Sequence, residues 1–387
     1  MSRRRKLSKK KLNYLDPDIN IKNELKYNIA IIIPTTSNKR NFNSINDYIF
    51  FKLFLPTFLE TVSNDHNYNF YLGYDHDDNF FINNNSKIIE YFNNKTTDNF
   101  SLKLISMENL KGKVGKIWSF LANEAKKENS YIYQIGDDVR FLTKNWDNYF
   151  INKLLFTNNI GCVGPCDLRT NSFLLTQTFV HTTHLDIFQD YFPEEIINWD
   201  IDCWITFIYG SIGDHNVKIN NEGGSERYTP INDKKNYINI RNKDISLLEN
   251  YLDKISPVKE DILLTILINY HEKNNIYLRR LLNKIKWSAG KYFNNIEILI
   301  NGTIKESKGK YITNFNDTDL ISSFYFDELF KIFKENYDII NYNCVVYNND
   351  FIKDKQMIKN AVFLKENKEN KEYYIEKLMY HKCINPQ

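Results

Sequence analysis

Two adjacent aspartates, Asp137 and Asp138, follow directly on the apolar run "SYIYQI" and a single glycine, Gly136. Carboxylates leaving a buried strand in this way can hold a hard divalent cation such as Mn2+ or Mg2+ without the cost of ordering a loop. Asp also ends strands and opens turns for purely local reasons, so the pair takes its meaning from what surrounds it. A second acidic cluster, Asp75-His76-Asp77-Asp78, ends the run "YNFYLGY". A third pair, Asp200 and Asp202, lies in "NWDIDCW". Two residues apart, these two cannot share one helical face. One of them can serve as a general base in a cleft, and both can complement the positive end of a helix. Imidazoles are more scattered: His181, His184 and His215, the last in a stretch where Gly210, Gly213, Gly223 and Gly224 cluster.

The elements able to position these groups follow from the spacing of apolar residues. "YNIAIIIPTT" (residues 27–36) is a continuous apolar run ended by Pro34, the pattern of a strand buried on both faces. Residues 45–62 carry a helical pattern that Pro56 kinks or divides. "YNFYLGYD" is a second strand, "SLKLISM" a third, and "GKIWSFLANEAKKE" an amphipathic helix with Ile117, Leu121 and Ala125 on one face. "SYIYQI" is the fourth strand. Strands alternating with helices describe an open α/β sheet, and such sheets bind ligands at the carboxyl ends of their strands. Asp75 and the pair Asp137-Asp138 both fall there.

Length and composition set the frame. The chain has 387 residues, enough for one large domain or two modest ones. Asn, Lys and Ile are abundant while Gly, Pro and Ala are scarce, a bias that an A/T-rich genome produces and that bears on source more than on fold. Seven basic residues precede the first apolar segment, and without them the net charge passes from +3 to −4. That basic start is read as a solvated tail, since no aromatic residues interleave with its charges as a nucleic-acid stacking platform requires. No apolar run follows it, and no segment approaches the roughly 20 apolar residues of a membrane span. The five cysteines are irregularly spaced, and Cys162 and Cys166 are read as buried thiols. The expected location is the cytoplasm.

A weak internal repeat follows a polar stretch at 229–258. "DILLTILINY" parallels the first strand, "IYLRRLLNKI" the first helix, "NIEILING" the second strand and "GKYITNFNDTDL" the segment "SYIYQIGDDVRF". About ten residues separate the second and fourth strand signals here, against about fifty-five in the first copy, so the third strand and its helix are missing.

"YIYQIGDDVRFLTKNWDNYF" resembles the aspartate motif of glycosyltransferases of the nucleotide-diphospho-sugar (GT-A) fold, where an aromatic-aliphatic strand runs into D-x-D or D-D-D. Gly136 stands at the first of those positions. "FVHTTHLDIFQDYFPEEIINWDIDCWITFIYG" is similar to GT-A-type glycosyltransferase-like proteins of algae, protists and large DNA viruses, whose segment runs approximately D-I-F-x-x-Y-F-P and then N-W-W-S-D-D-W-I. Asp202 keeps the first acidic position of that phrase and Cys203 replaces the second. The second copy, with Asp317-Thr318-Asp319 after "GKYITNF", resembles a phrase of family 2-type glycosyltransferases, but Asn301-Gly302 stands where an aspartate would follow the second strand.

The resemblance implies an α/β fold: a GT-A (Rossmann-like) mixed sheet flanked by helices over 26–228, followed by a smaller truncated α/β GT-A-like domain over 259–387. Residues 1–25 would be a basic tail and 229–258 a linker. It further implies that Pro34, Thr35, Thr36 and Arg40 cradle the nucleotide and its phosphates, that Asp75 binds base or ribose, and that Lys116 meets the diphosphate. Asp138 becomes the metal ligand, with Asp137 on the ribose or a metal-bound water and His215 as a further ligand. Asp202 becomes the general base, with Asp200 in reserve. The implied function is metal-dependent transfer of a sugar from a nucleotide-sugar, UDP-linked, to a hydroxyl of a glycan or glycoprotein. Mn2+ or Mg2+ is the cofactor, no nucleic acid is a partner, and a viral factory or virion is a second possible location. Two alternatives stay open: an inactive glycan- or nucleotide-binding protein, and a nucleotidyltransferase, although "PTTSNKRNF" lacks the glycine-rich loop of the latter.

Overall fold

The computed structural model describes residues 25–169, 174–211, 213–223, 227–228, 237–255, 262–270, 275–302, 307–308, 311–316, 320–321, 325–326, 329–330, 339–347, 355–364 and 372–381. The basic start at 1–24 and the Asp317-Thr318-Asp319 triplet lie outside these residues.

Strand β1 (Asn28–Pro34) leads into a π-helical turn, Phe50–Phe54, and then α1 (Leu55–Thr61). Pro56 sits in the first turn of α1, directly after the π-helical turn. The helical backbone runs unbroken from Ile49 to Thr61, and the break in the 45–62 pattern falls at the extended Tyr48, not at the proline. β2 (Asn67–Asp75), α2 (Asn79–Asn93), β3 (Phe100–Met107), α3 (Val114–Ala125) and β4 (Tyr131–Gln134) follow. Next come β5 (Val139–Phe141), α4 (Trp146–Phe156), β6 (Pro165–Asp167), β7 (Thr178–His181), α5 (Thr183–Phe188), α6 (Ile201–Tyr209) and β8 (Asp214–Asn221).

Among the described residues, the first sheet has the order β3-β2-β1-β4-β7. β7 is antiparallel to β4 and the other pairings are parallel, so the sheet is mixed. Both faces of β1 are covered, which is why its sequence is apolar throughout rather than alternating. Ile29, Ile31 and Ile33 pack on a layer built from the Phe50–Phe54 turn, α1, α2 and α4. Ala30 and Ile32 face a second layer that includes α3, α5 and α6. Each of these isoleucines is fully buried, worth about 1.5–3 kcal/mol apiece. A small sheet, β5-β8-β6, stands beside the main one.

Within the stretch read as a linker, Tyr237–Ile255 forms a nineteen-residue helix, α7. Ile245, Leu248 and Leu252 recur at helical spacing and are buried in the same cluster as α3 and α6. The charged residues between them give the stretch its polar composition.

The internal repeat is present in the topology. β9 (Leu264–Asn269), α8 (Asn275–Ala289), β10 (Ile296–Ile300) and β11 (Tyr311–Asn316) place β9 between β10 and β11, with both pairings parallel. The same relation holds for β1 between β2 and β4. Short β12 (Leu320–Ile321) and the strands β13 (Ile339–Tyr347), β14 (Lys355–Leu364) and β15 (Glu372–His381) complete a sheet of order β10-β9-β11-β14-β13-β15-β12. Among the described residues no helix is long and apolar enough to cross a membrane.

Candidate functional site

Parallel register brings the carboxyl ends of three strands to one edge. Pro34 of β1 pairs with Gly73 of β2, and Ile32 pairs with Gln134 of β4. Thr35, Thr36, Asp75 and the turn Gly136–Asp138 therefore leave the sheet side by side, although about a hundred residues separate the first from the last. They line a cleft of about 460 Å3 together with Pro34, Arg40, Trp118, Trp199 and Tyr228.

Asp137 is held rigidly. Arg40 grips it from one side: Nη2 donates to Oδ1 at 2.7 Å and Nη1 donates to Oδ2. Thr35 Oγ1 donates to Oδ2 at 2.7 Å, and the buried Tyr48 hydroxyl donates to that Thr35 oxygen at 2.9 Å. Burial works against the Arg40 charge, but the bond to Asp137 and its negative charge outweigh it and raise the guanidinium's pKa. A buried, bidentate pair of this kind fixes geometry as well as charge.

Asp138 is different. Its Oδ2 lies 3.7 Å from Arg40 Nη2 and 4.0 Å from Arg227 Nη2, within electrostatic reach of both and in hydrogen-bond contact with neither. Burial and the neighbouring Asp137 charge push its pKa up to about 6, against the pull of the two arginines. The carboxylate packs on bare backbone. A Cβ on Gly223 would come within 2.6 Å of Asp138 Oδ2, and one on Gly136 within 3.0 Å of Oδ1. β8 supplies that wall: Asn221 pairs with Val139 of β5, and Glu222 N–H donates to the Asp138 carbonyl at 2.9 Å.

Asp75 accepts a hydrogen bond from the Tyr228 hydroxyl, and Thr36 Oγ1 lies 3.0 Å from the same hydroxyl. Burial and that bond to Asp75 raise the Tyr228 pKa, so the phenol stays protonated. Asp78 caps α2 through Phe80 N–H and takes both the backbone N–H and the hydroxyl of Ser37 at 2.7 Å. Its role is to tie the β1 loop to α2.

Several expected residues do not join the cleft. Lys116 pairs with Glu194 at 3.2 Å, while Val114, Ile117 and Trp118 are the α3 residues that line the cleft. His215 lies near the far end of β8, six residues from Asn221, which is roughly 20 Å of extended chain. It is therefore not a neighbour of Asp138. Neither Asp200 nor Asp202 lines the cleft, whereas Asn198 and the exposed Trp199 do. Asp200 takes a left-handed conformation at φ 70° to start α6, and Asp202 Oδ1 accepts the Cys203 N–H at 2.8 Å. Burial raises the Asp202 pKa. His184 is a core residue whose ring bonds the Tyr191 carbonyl at 2.9 Å and the Tyr209 hydroxyl at 2.8 Å. Cys162 and Cys166 are buried thiols.

Arg227 and Tyr228 were not legible beforehand, since a lone Arg-Tyr pair in a polar stretch carries no periodic or motif signal. Gln177 and Trp118, which also line the cleft, were hidden in strand and helix patterns.

Among the described residues no group of three or more His, Cys, Asp or Glu could hold a metal ion by itself. Mg2+-type sites in phosphate-handling proteins need only one or two protein carboxylates, the substrate's phosphates and water supplying the rest. Asp138 fits that sharing arrangement, and Asp137, with Arg40 on both its oxygens, does not.

No protein-family model matches the chain, and no curated protein does. Among solved structures, S. aureus TarS superposes with a TM-score of 0.36 at 13% identity, over 58% of this chain and 40% of that one. Residues 1–349 of TarS superpose with a TM-score of 0.37 at 14% identity, over 70% of this chain and 74% of that one. The chain thus spans well under half the length of the first of these structures.

Proposed function

We propose that the protein is a metal-dependent glycosyltransferase of the GT-A kind, moving a sugar from a nucleotide-sugar, UDP-linked, to an acceptor hydroxyl. One observation carries this reading: Thr35-Thr36, Asp75 and Asp137-Asp138 converge from three parallel strands on one cleft. That is where open α/β sheets bind nucleotides. In this reading Asp75 and Thr36 receive the base or ribose, displacing the Tyr228 hydroxyl. The rigid Arg40–Asp137 pair orients the ribose end, and Asp138 holds the cation with the diphosphate. The cation, when bound, neutralises charge on the departing diphosphate. Trp199, 60% exposed at the rim, offers its face to a sugar ring. The acceptor proton is assigned to Asp202, in the first turn of α6, three residues beyond the cleft-lining Trp199 and itself outside the lining.

A second reading, a nucleotide- or glycan-binding protein without turnover, draws on two observations. Asp200 and Asp202 stay out of the cleft lining, and Asp137 is fully engaged by Arg40. Thermal-shift screening of nucleotide-sugars with and without Mn2+, followed by hydrolysis assays on the stabilising donor, separates the two. Metal-dependent donor turnover, reduced on the order of 10²-fold or more in Asp138→Asn, supports the transferase. Stabilisation without turnover across an acceptor panel supports the binding protein. No stabilisation by any nucleotide removes the transferase and the nucleotide-binding readings.

A further inference from the structure

Two carboxylates and two guanidinium groups meet around the Asp137-Asp138 turn, with Asp75 a third carboxylate in the cleft lining. Asp137 and Asp138 carry two negative charges and Arg40 and Arg227 two positive ones; Arg40 lies within salt-bridge distance of both carboxylates and Arg227 of Asp138. Of the lysines and arginines among the described residues, only Arg40 and Arg227 line the cleft. Arg40 is committed, with hydrogen bonds to both oxygens of Asp137. Arg227 faces Asp138 Oδ2 at 4.0 Å, too long for a hydrogen bond. Its backbone, in contrast, is well placed: Asn38 Nδ2 donates to the Arg227 carbonyl at 2.6 Å, and the next residue, Tyr228, reaches Asp75 and Thr36.

Around the Asp137-Asp138 turn each kind of ion, arriving alone, meets groups of its own sign. A divalent cation approaching Asp138 meets two guanidinium groups, and a diphosphate approaching the arginines meets two carboxylates. A cation and a diphosphate arriving together meet no such conflict, because each takes the partner that the other's opposite would leave.

Resting on the nucleotide-sugar reading above, we propose that Arg227 is the phosphate-binding residue of the cleft. In the free protein it is the internal counter-ion of Asp138; when the donor enters, its guanidinium passes to the diphosphate and Asp138 passes to the cation. Cation binding is therefore conditional on the nucleotide. Arg227 is a positioning residue with two effects of opposite sign. It favours the diphosphate and disfavours the bare cation.

The test uses the full chain and two variants, Arg227→Ala and Arg227→Lys, with thermal unfolding to establish that each is folded. Calorimetry measures uridine, UMP and UDP in the presence of Mn2+, and the EPR signal of free Mn2+ measures cation binding without nucleotide. Arg227→Ala is expected to weaken UDP binding about 10- to 100-fold and to leave uridine within about twofold. The same variant is expected to bind Mn2+ alone more tightly than wild type, by about threefold or more. Arg227→Lys should restore part of the UDP affinity, since the charge remains without the fork. Equal UDP affinity in wild type and Arg227→Ala overturns the assignment, and so does a parallel loss of uridine, which marks a structural role. Mn2+ binding that is unchanged or weaker in Arg227→Ala also overturns it. A wild type that binds none of the three nucleotide probes removes the nucleotide-sugar reading, and this proposal with it.

Discussion

Arg40 and Asp137, ninety-seven residues apart, form a buried two-point ion pair in which both carboxylate oxygens accept from one guanidinium. Their side chains are 9% and 4% exposed, so the pair is desolvated and each partner depends on the other. Breaking such a pair from one side strands a charge, which typically costs about 3–5 kcal/mol.

Arg40→Ala should therefore destabilise the protein by roughly that amount, measured as the shift in urea midpoint at unchanged slope. The double variant Arg40→Ala/Asp137→Asn should recover much of the loss, because no uncompensated carboxylate remains. Additive losses in the two single variants would show that the pair is not coupled.

Gly223 separates function from stability. A methyl group there would fall 2.6 Å from Asp138 Oδ2 and 2.8 Å from Asn221 Oδ1, both ends of side chains that can swing aside. Gly223→Ala is expected to move the melting temperature by no more than a few degrees while lowering metal-supported donor binding about tenfold, as Asp138 is pushed off its position. Unchanged donor binding in this variant would mean that Asp138 does not need its present orientation.

His184 gives the fold a pH dependence of known sign. The Tyr191 carbonyl can only accept, so Nε2 carries the proton and Nδ1 accepts from the Tyr209 hydroxyl, which leaves a neutral ring. Burial lowers its pKa to about 4, with the bond to Tyr191 acting weakly the other way. The unfolded chain takes up a proton near pH 6.5 and the folded one does not. The contribution is complete above about pH 6.5 and is lost as pH falls toward 4, amounting to roughly 3 kcal/mol. Asp244, raised to about 6 by burial against the bond from Trp204 Nε1, acts in the opposite sense between about pH 4 and 6. The informative quantity is the difference in unfolding free energy between wild type and His184→Gln, which should shrink as pH falls from 7 to 4. Parallel pH profiles would show that His184 is not held neutral.

The sequence alone determined the strands, the glycine and proline that stop them, and the acids that follow. Periodicity and chain breakers are local properties, and a continuous apolar run such as that around Ile31 can be satisfied only by burial on both faces. The repeat was equally visible, and β9 lies between β10 and β11 as β1 lies between β2 and β4. Tertiary structure decided how the charges pair. Nothing local distinguishes Asp137 from Asp138; the difference arises because Arg40 closes on the first from a loop across the sheet edge. His215 and Asn221 share one strand, but strand geometry sets them at opposite ends of it. β8 returns antiparallel to β5 and brings Asn221 to the cleft lining, where Arg227 also stands, 4.0 Å from Asp138. Electrostatic partnership depends on distance in space, which sequence separation does not encode.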